Sequence, residues 1–134
     1  MKAQLAALAL LLPTVAQAAA WSSGTDRGVP FYTLNSEGLS LTIACDPDAV
    51  YAPPQNYIQA SVSGRPVDGS VTISNGSNRV ALPFEAGTAF KEAMQPETWN
   101  KAISILGAQA DFTFKDQTVS TKAEPPSQLA NDCK

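Results

Sequence analysis

Four short runs between residues 38 and 84 alternate apolar with polar side chains, and this period of two is the strongest constraint on what the chain can become. In the first run Leu39, Leu41, Ile43 and Cys45 share one face, while Ser40, Thr42 and Ala44 share the other. The run over 56–63 turns Ile58, Ala60 and Val62 inward, and that over 70–74 turns Val71 and Ile73 inward. The run over 79–84 does the same with Val80, Leu82 and Phe84. Turn chemistry separates them. Asp46-Pro47-Asp48 ends the first run, Gly64 to Gly69 follows the second, and Asn75-Gly76 is a strong hairpin signal between the last two. Pro83 has no N–H to give a ladder and marks an edge position or a strand end. Four antiparallel strands, neighbours in sequence order, are the expected arrangement.

The flanking segments add less. Residues 21–30 are Ser, Gly, Thr, Asp and Arg around one aromatic, which reads as an irregular lead-in. From Thr88 to Gln95 the spacing of Ala89, Phe90, Ala93 and Met94 is helical, with Thr88 as the N-cap. Residues 96–106 carry two patterns at once. Trp99, Ala102, Ile103 and Leu106 fit a helix face begun by Pro96, while Trp99, Lys101, Ile103 and Ile105 alternate as a strand would. Asp111 to Lys115 is a strand with Phe112 and Phe114 on one face, continued by 117–121. A polar, proline-bearing loop over 122–126 leads to a helical turn that sets Leu129 and Cys133 on one side. The fold class is mainly β: a small antiparallel sandwich or barrel-like domain with one or two short helices.

Residues 1–18 have the order of an export signal: Lys2, the apolar run Ala3 to Leu12, Pro13, then Ala16-Gln17-Ala18 as the cleavage motif. Cleavage follows Ala18, or Ala20 in a second reading frame of small residues. An apolar run of about ten residues is short of the roughly 20 that span a bilayer, so no stable membrane insertion follows cleavage. No cysteine lies close behind it, which argues against a lipid-modified signal. Residues 19–134 then form a single β-rich exported domain, periplasmic or secreted, and the compact alanine-rich signal is of bacterial type.

Either compartment is oxidising, and the chain holds two cysteines, Cys45 and Cys133. Their expected state is one structural disulfide tying an early strand to the last residues. Chain-entropy arithmetic for so long a loop gives about 4–5 kcal/mol.

Histidine is absent, which removes His-dependent triads, Cys-His dyads and the common zinc motifs. No G-x-S-x-G or S-x-x-K signals a hydroxyl nucleophile. The carboxylates are scattered, and Asp46 with Asp48 supplies too few ligands for a cation, so D-P-D is a strand-ending turn. No catalytic residue, metal site or cofactor is expected. The whole chain has nine basic and twelve acidic residues; without Lys2 the count is eight against twelve, or −4. The basic residues are dispersed singly, which excludes a nucleic-acid stripe.

What remains is binding. Trp21, Tyr32, Tyr51 and Tyr57 are expected in loops, and Pro53-Pro54 stiffens the segment between the last two. Tyr51, Pro53, Pro54 and Tyr57 are therefore the candidate binding surface, since rigid aromatics are common interface anchors. The expected function is a non-catalytic binding or accessory protein of the bacterial envelope. It would act through a loop or a sheet edge on another envelope or extracellular protein, as an inhibitor or immunity protein does. The alternative is a carrier of a small apolar or glycan ligand in the domain interior, lined by Trp99, Phe112 and Phe114.

Overall fold

The computed structural model describes residues 20–108, 111–119 and 128–133; the segment read as an export signal, Thr121, the loop expected over 122–126 and Ser127 lie outside them. Two antiparallel sheets face one core. The larger runs in the order β1 (Ala20–Asp26), β2 (Val29–Ser36), β3 (Leu39–Ala44) and β4 (Tyr57–Val62). The far side of β4 is shared by two short strands, β5 (Arg65–Pro66) at one end and β8 (Thr88–Phe90) at the other. The smaller sheet has the order β10 (Gln117–Val119), β9 (Phe112–Phe114), β6 (Gly69–Asn75) and β7 (Asn78–Phe84).

The alternation of the sequence sets the inner faces. Tyr32 and Leu34 stand opposite Ile43 and Leu41, which stand opposite Ile58 and Ala60. Val71, Ile73, Leu82, Phe84, Phe112 and Phe114 face them from the smaller sheet, and all belong to a single buried cluster. Pro83 lies on β7, an edge strand. Helix α1 (Pro96–Leu106) packs along β7 and β6 and settles the double pattern of this segment in favour of the helix. Pro96 sits at its start, Trp99, Ala102, Ile103, Ile105 and Leu106 are buried, and Lys101 is exposed. A strand would have placed Lys101 beside Trp99. Helix α2 (Leu129–Asp132) brings Leu129 to the core and Cys133 to Cys45, with Cα atoms 5.1 Å apart in the disulfide.

Several expectations are corrected. Residues 21–30 are no lead-in: β1 and β2 form a hairpin whose turn, Arg27-Gly28, has φ of 49° and 85°. As an edge strand β1 tolerates the polar run Ser22, Ser23 and Thr25, so apolar alternation never develops. Trp21 and Tyr32 consequently lie on strands, Tyr32 buried, and Tyr57 opens β4; of the four aromatics expected in loops, Tyr51 alone is in one. The helix expected over 88–95 is β8 followed by a single 3-10 turn, Lys91–Ala93. The Ala86-Gly87 turn, with φ of 50° and 89°, sends the chain from β7 straight onto β4, where Ala89 is buried opposite Ile58 and Phe90 is exposed. That same turn moves the chain from the smaller sheet to the larger. β4 and β6, expected as neighbours, are in different sheets. β10 does not continue β9 but returns beside it, and the hairpin after β6 turns on Gly76-Ser77, because Asn75 is still paired with Asn78.

Candidate functional site

The parity that sends Tyr32, Ile43 and Ile58 inward sends their neighbours to the outer face of the larger sheet. There one cross-strand row runs through five strands in register: Gly24, Phe31, Ala44, Tyr57 and Phe90. Small and aromatic residues alternate along it as far as Tyr57, and a second ring, Phe90, ends it. The Phe31 ring leans over Gly24, where an added Cβ would lie 2.5 Å from its Cζ. At the other end the Tyr57 and Phe90 rings meet edge to face with centroids 6.1 Å apart. The two rings beside Ala44 are thus both engaged away from it, and a cleft of about 440 Å³ opens above. Phe31, Tyr57 and Val29 form its apolar walls, with Thr42 and Ala44 between them.

The loop over 46–56 supplies the remaining wall through Tyr51 and Gln55. Asp46 fixes that loop. Its carboxylate accepts the backbone N–H groups of Val50 at 2.7 Å, Tyr51 at 3.0 Å and Gln55 at 3.3 Å. The Asp46 N–H donates in turn to Asn56 Oδ1 at 2.9 Å. Burial works against the charge on Asp46, but the hydrogen bonds from Tyr51, Val50 and Gln55 outweigh it and hold the carboxyl below its ordinary range. Asp46 is therefore ionised and occupied with its own loop, the strand-ending turn that D-P-D announces. The Ala52–Pro53 peptide is cis. The methyl groups of Val50 lie 3.8 Å from where a Cβ on Gly28 would stand, so the loop reaches the β1–β2 turn and encloses one end of the cleft. Asp26, at the end of β1, lines this end, and it is the charged residue of the cleft wall.

The structure thus divides the candidate surface. Tyr51 and Tyr57 share the cleft, whereas Pro53 and Pro54 border a second groove of about 450 Å³ with Phe90 and Glu92. Gln55 borders both. Phe31, Asp26, Gln55 and Phe90 were missed by sequence reasoning, Phe31 because the strand that carries it went unrecognised. Had β2 been read as a strand, its parity against β3 would have placed Phe31 opposite Ala44. The interior residues Trp99, Phe112 and Phe114 are fully buried core members, in contact with other side chains and lining no open space of the outer face. A sheet edge is also present, since among the described residues β1 pairs only with β2.

On the inner face of the same sheet, one residue along from Phe31, the Tyr32 hydroxyl donates to Asp132 Oδ2, and burial followed by that carboxylate pushes the phenol far above its ordinary range. This contact anchors the C-terminal turn and belongs to the fold. Among the described residues no three His, Cys, Asp or Glu side chains are grouped to hold a metal ion. No family model, no curated protein and no solved structure matches the chain.

Proposed function

We propose that the chain is exported to the bacterial periplasm or beyond and serves there as a non-catalytic binding protein that engages another protein through the outer face of its larger sheet. One observation carries this reading. The large hydrophobic side chains exposed among the described residues are Val50 and Phe90, at 52% and 49%, and both flank the Tyr51–Tyr57 segment. Val50 is next to Tyr51, and Phe90 touches Tyr57 edge-on. Apolar exposure on a loop held by an internal carboxylate and on the strand that meets the end of that segment is the anatomy of a preorganised interface. The disulfide accords with an oxidising compartment, and the sequence over 1–18 with export.

Crosslinking of tagged protein in its own cell, read by mass spectrometry, tests the proposal when the Tyr51→Ala, Tyr57→Ala double variant is run beside it. A stoichiometric envelope protein captured by the parent and lost from the variant is the expected result. Capture that ignores both tyrosines would overturn the assignment of the surface. A small apolar or glycan molecule is the competing occupant, since the cleft volume lies within the range of small-ligand pockets. Such a ligand would raise the melting temperature of the parent but not of the variant.

A further inference from the structure

The chemistry of the cleft narrows what can enter it. Among the described residues its walls hold the rings of Phe31, Tyr51 and Tyr57 and one carboxylate, Asp26, with no cationic side chain. Asp46, the nearby second carboxylate, is consumed by three backbone N–H groups. Asp26 is exposed, and among the described residues no ion pair or hydrogen bond engages its side chain. Arg27, next along the turn, is likewise exposed, and among the described residues it is not paired with Asp26. An aromatic-walled space with a free carboxylate at its rim attracts a cation on two counts. The ring faces carry negative electrostatic potential, and the carboxylate accepts charge-assisted hydrogen bonds.

Resting on the reading of this face as a protein-recognition surface, we propose that the cleft receives an arginine side chain of the partner, stacked among Phe31, Tyr51 and Tyr57 and paired with Asp26. Arginine suits the site better than lysine because a planar guanidinium stacks on rings and forks onto a carboxylate at once, and it sheds water more easily. Gln55 on the loop and Thr42 on β3 add an amide oxygen and a hydroxyl to the lining as further acceptors. The acidic balance of the chain, −4 without the signal, complements a basic partner segment.

The test is an amide-shift NMR titration of the oxidised protein with acetyl-Gly-Arg-Gly-amide. The counterpart in which citrulline, a neutral isostere, replaces arginine is titrated in parallel, with tetramethylammonium as the free small cation. Saturable shifts of Gly24, Phe31, Ala44 and Tyr57 by the arginine peptide are expected, weakened about tenfold or more with citrulline, since a charged hydrogen-bonded pair is lost. Asp26→Asn, an exposed change that leaves the melting curve in place, should abolish the preference for arginine. Equal binding of the two peptides, or a preference that survives Asp26→Asn, would overturn the proposal. So would tetramethylammonium binding as tightly as the arginine peptide, which would mark a site for free cations. If captured partner is lost with the two tyrosines replaced but the peptides are not discriminated, the arginine inference fails and the surface stands. If capture ignores the tyrosines, the surface itself fails.

Discussion

The indole Nε1 of Trp99 donates a hydrogen bond to the backbone carbonyl of Cys133 over 2.6 Å, inside the core. One side chain of α1 thereby holds the residue whose sulfur is bonded to Cys45, directly after β3. Lys91 covers the same ring, its Nζ 5.7 Å from the centroid. Helix, sheet and C-terminal turn meet at this point. Trp99→Phe keeps most of the apolar volume but strands a buried carbonyl, which costs about 1–3 kcal/mol, and it leaves a small void besides. Denaturant unfolding of the oxidised protein should show that loss with little change in slope. An unchanged midpoint would mean that the carbonyl finds another donor.

Removing the disulfide should cost more. The two cysteines are 88 residues apart in sequence, and both are buried. Closing a loop of that size restricts the unfolded chain by about 4–5 kcal/mol at most, a figure that strain and residual structure reduce. Cys45→Ser and Cys133→Ser open the same loop and should destabilise equally. Thiol titration of denatured, unreduced protein from its native compartment should find no free sulfhydryl; two reactive thiols there would contradict the staple.

The Asp46 carboxylate makes stability depend on acid. Its pKa is lower folded than unfolded, so it contributes stability that is fully present above the unfolded value of about 3.9 and is lost as pH falls through the folded one. The melting temperature should therefore drop more steeply below pH ~4 in the parent than in Asp46→Asn, with the variant less stable at neutral pH because both carboxylate oxygens accept N–H groups and an amide keeps only one acceptor, its NH2 facing a donor. The amide signals of Val50, Tyr51 and Gln55 should shift together in the same acid window. Separate movement of the three would show that they do not share one acceptor.

How far the sequence could be read follows from what each signal depends on. Alternation placed β3, β4, β6 and β7 and the inward direction of Leu41, Ile58, Ile73 and Leu82, because a half-buried strand imposes that pattern on its own residues. β1 escaped because an edge strand need not hide a face, and β2, paired on both sides, went with the hairpin it completes. Their turn is Arg27-Gly28, a pair in which a non-glycine residue takes a left-handed conformation, as Ser63-Gly64 and Ala86-Gly87 also do. The Asn-Gly rule finds none of these turns. The segment over 88–90 was misread for a related reason: Ala89 and Phe90 are both apolar, yet one is buried and the other exposed, and only the pairing with Ile58 and Tyr57 decides which. Tyr51 and Tyr57 were legible as a surface because prolines lay between them. The cleft they share was not, since its floor is a row assembled across strands distant in sequence.

That row yields a prediction that separates the site from the fold. At Gly24 a Cβ would come within 2.5 Å of Phe31 Cζ, the far end of a side chain that can swing. The backbone at Gly24 is not among those with positive φ, so alanine is tolerated there by the strand itself. Gly24→Ala should therefore leave the melting temperature within a few degrees of the parent while driving the ring of Phe31 off β1 and toward Ala44, its neighbour on the other side. The space above Ala44 is the cleft. Affinity for whatever the cleft binds should fall by about tenfold, with the shifts of Ala44 and Tyr57 reporting the displaced ring in the absence of any ligand. A Phe31→Ala, Gly24→Ala double variant removes the clash but should not restore the affinity, since a wall of the cleft is then missing. If Gly24→Ala instead unfolds β1, the pairing of that strand depends on the glycine, and the ring has no freedom to move.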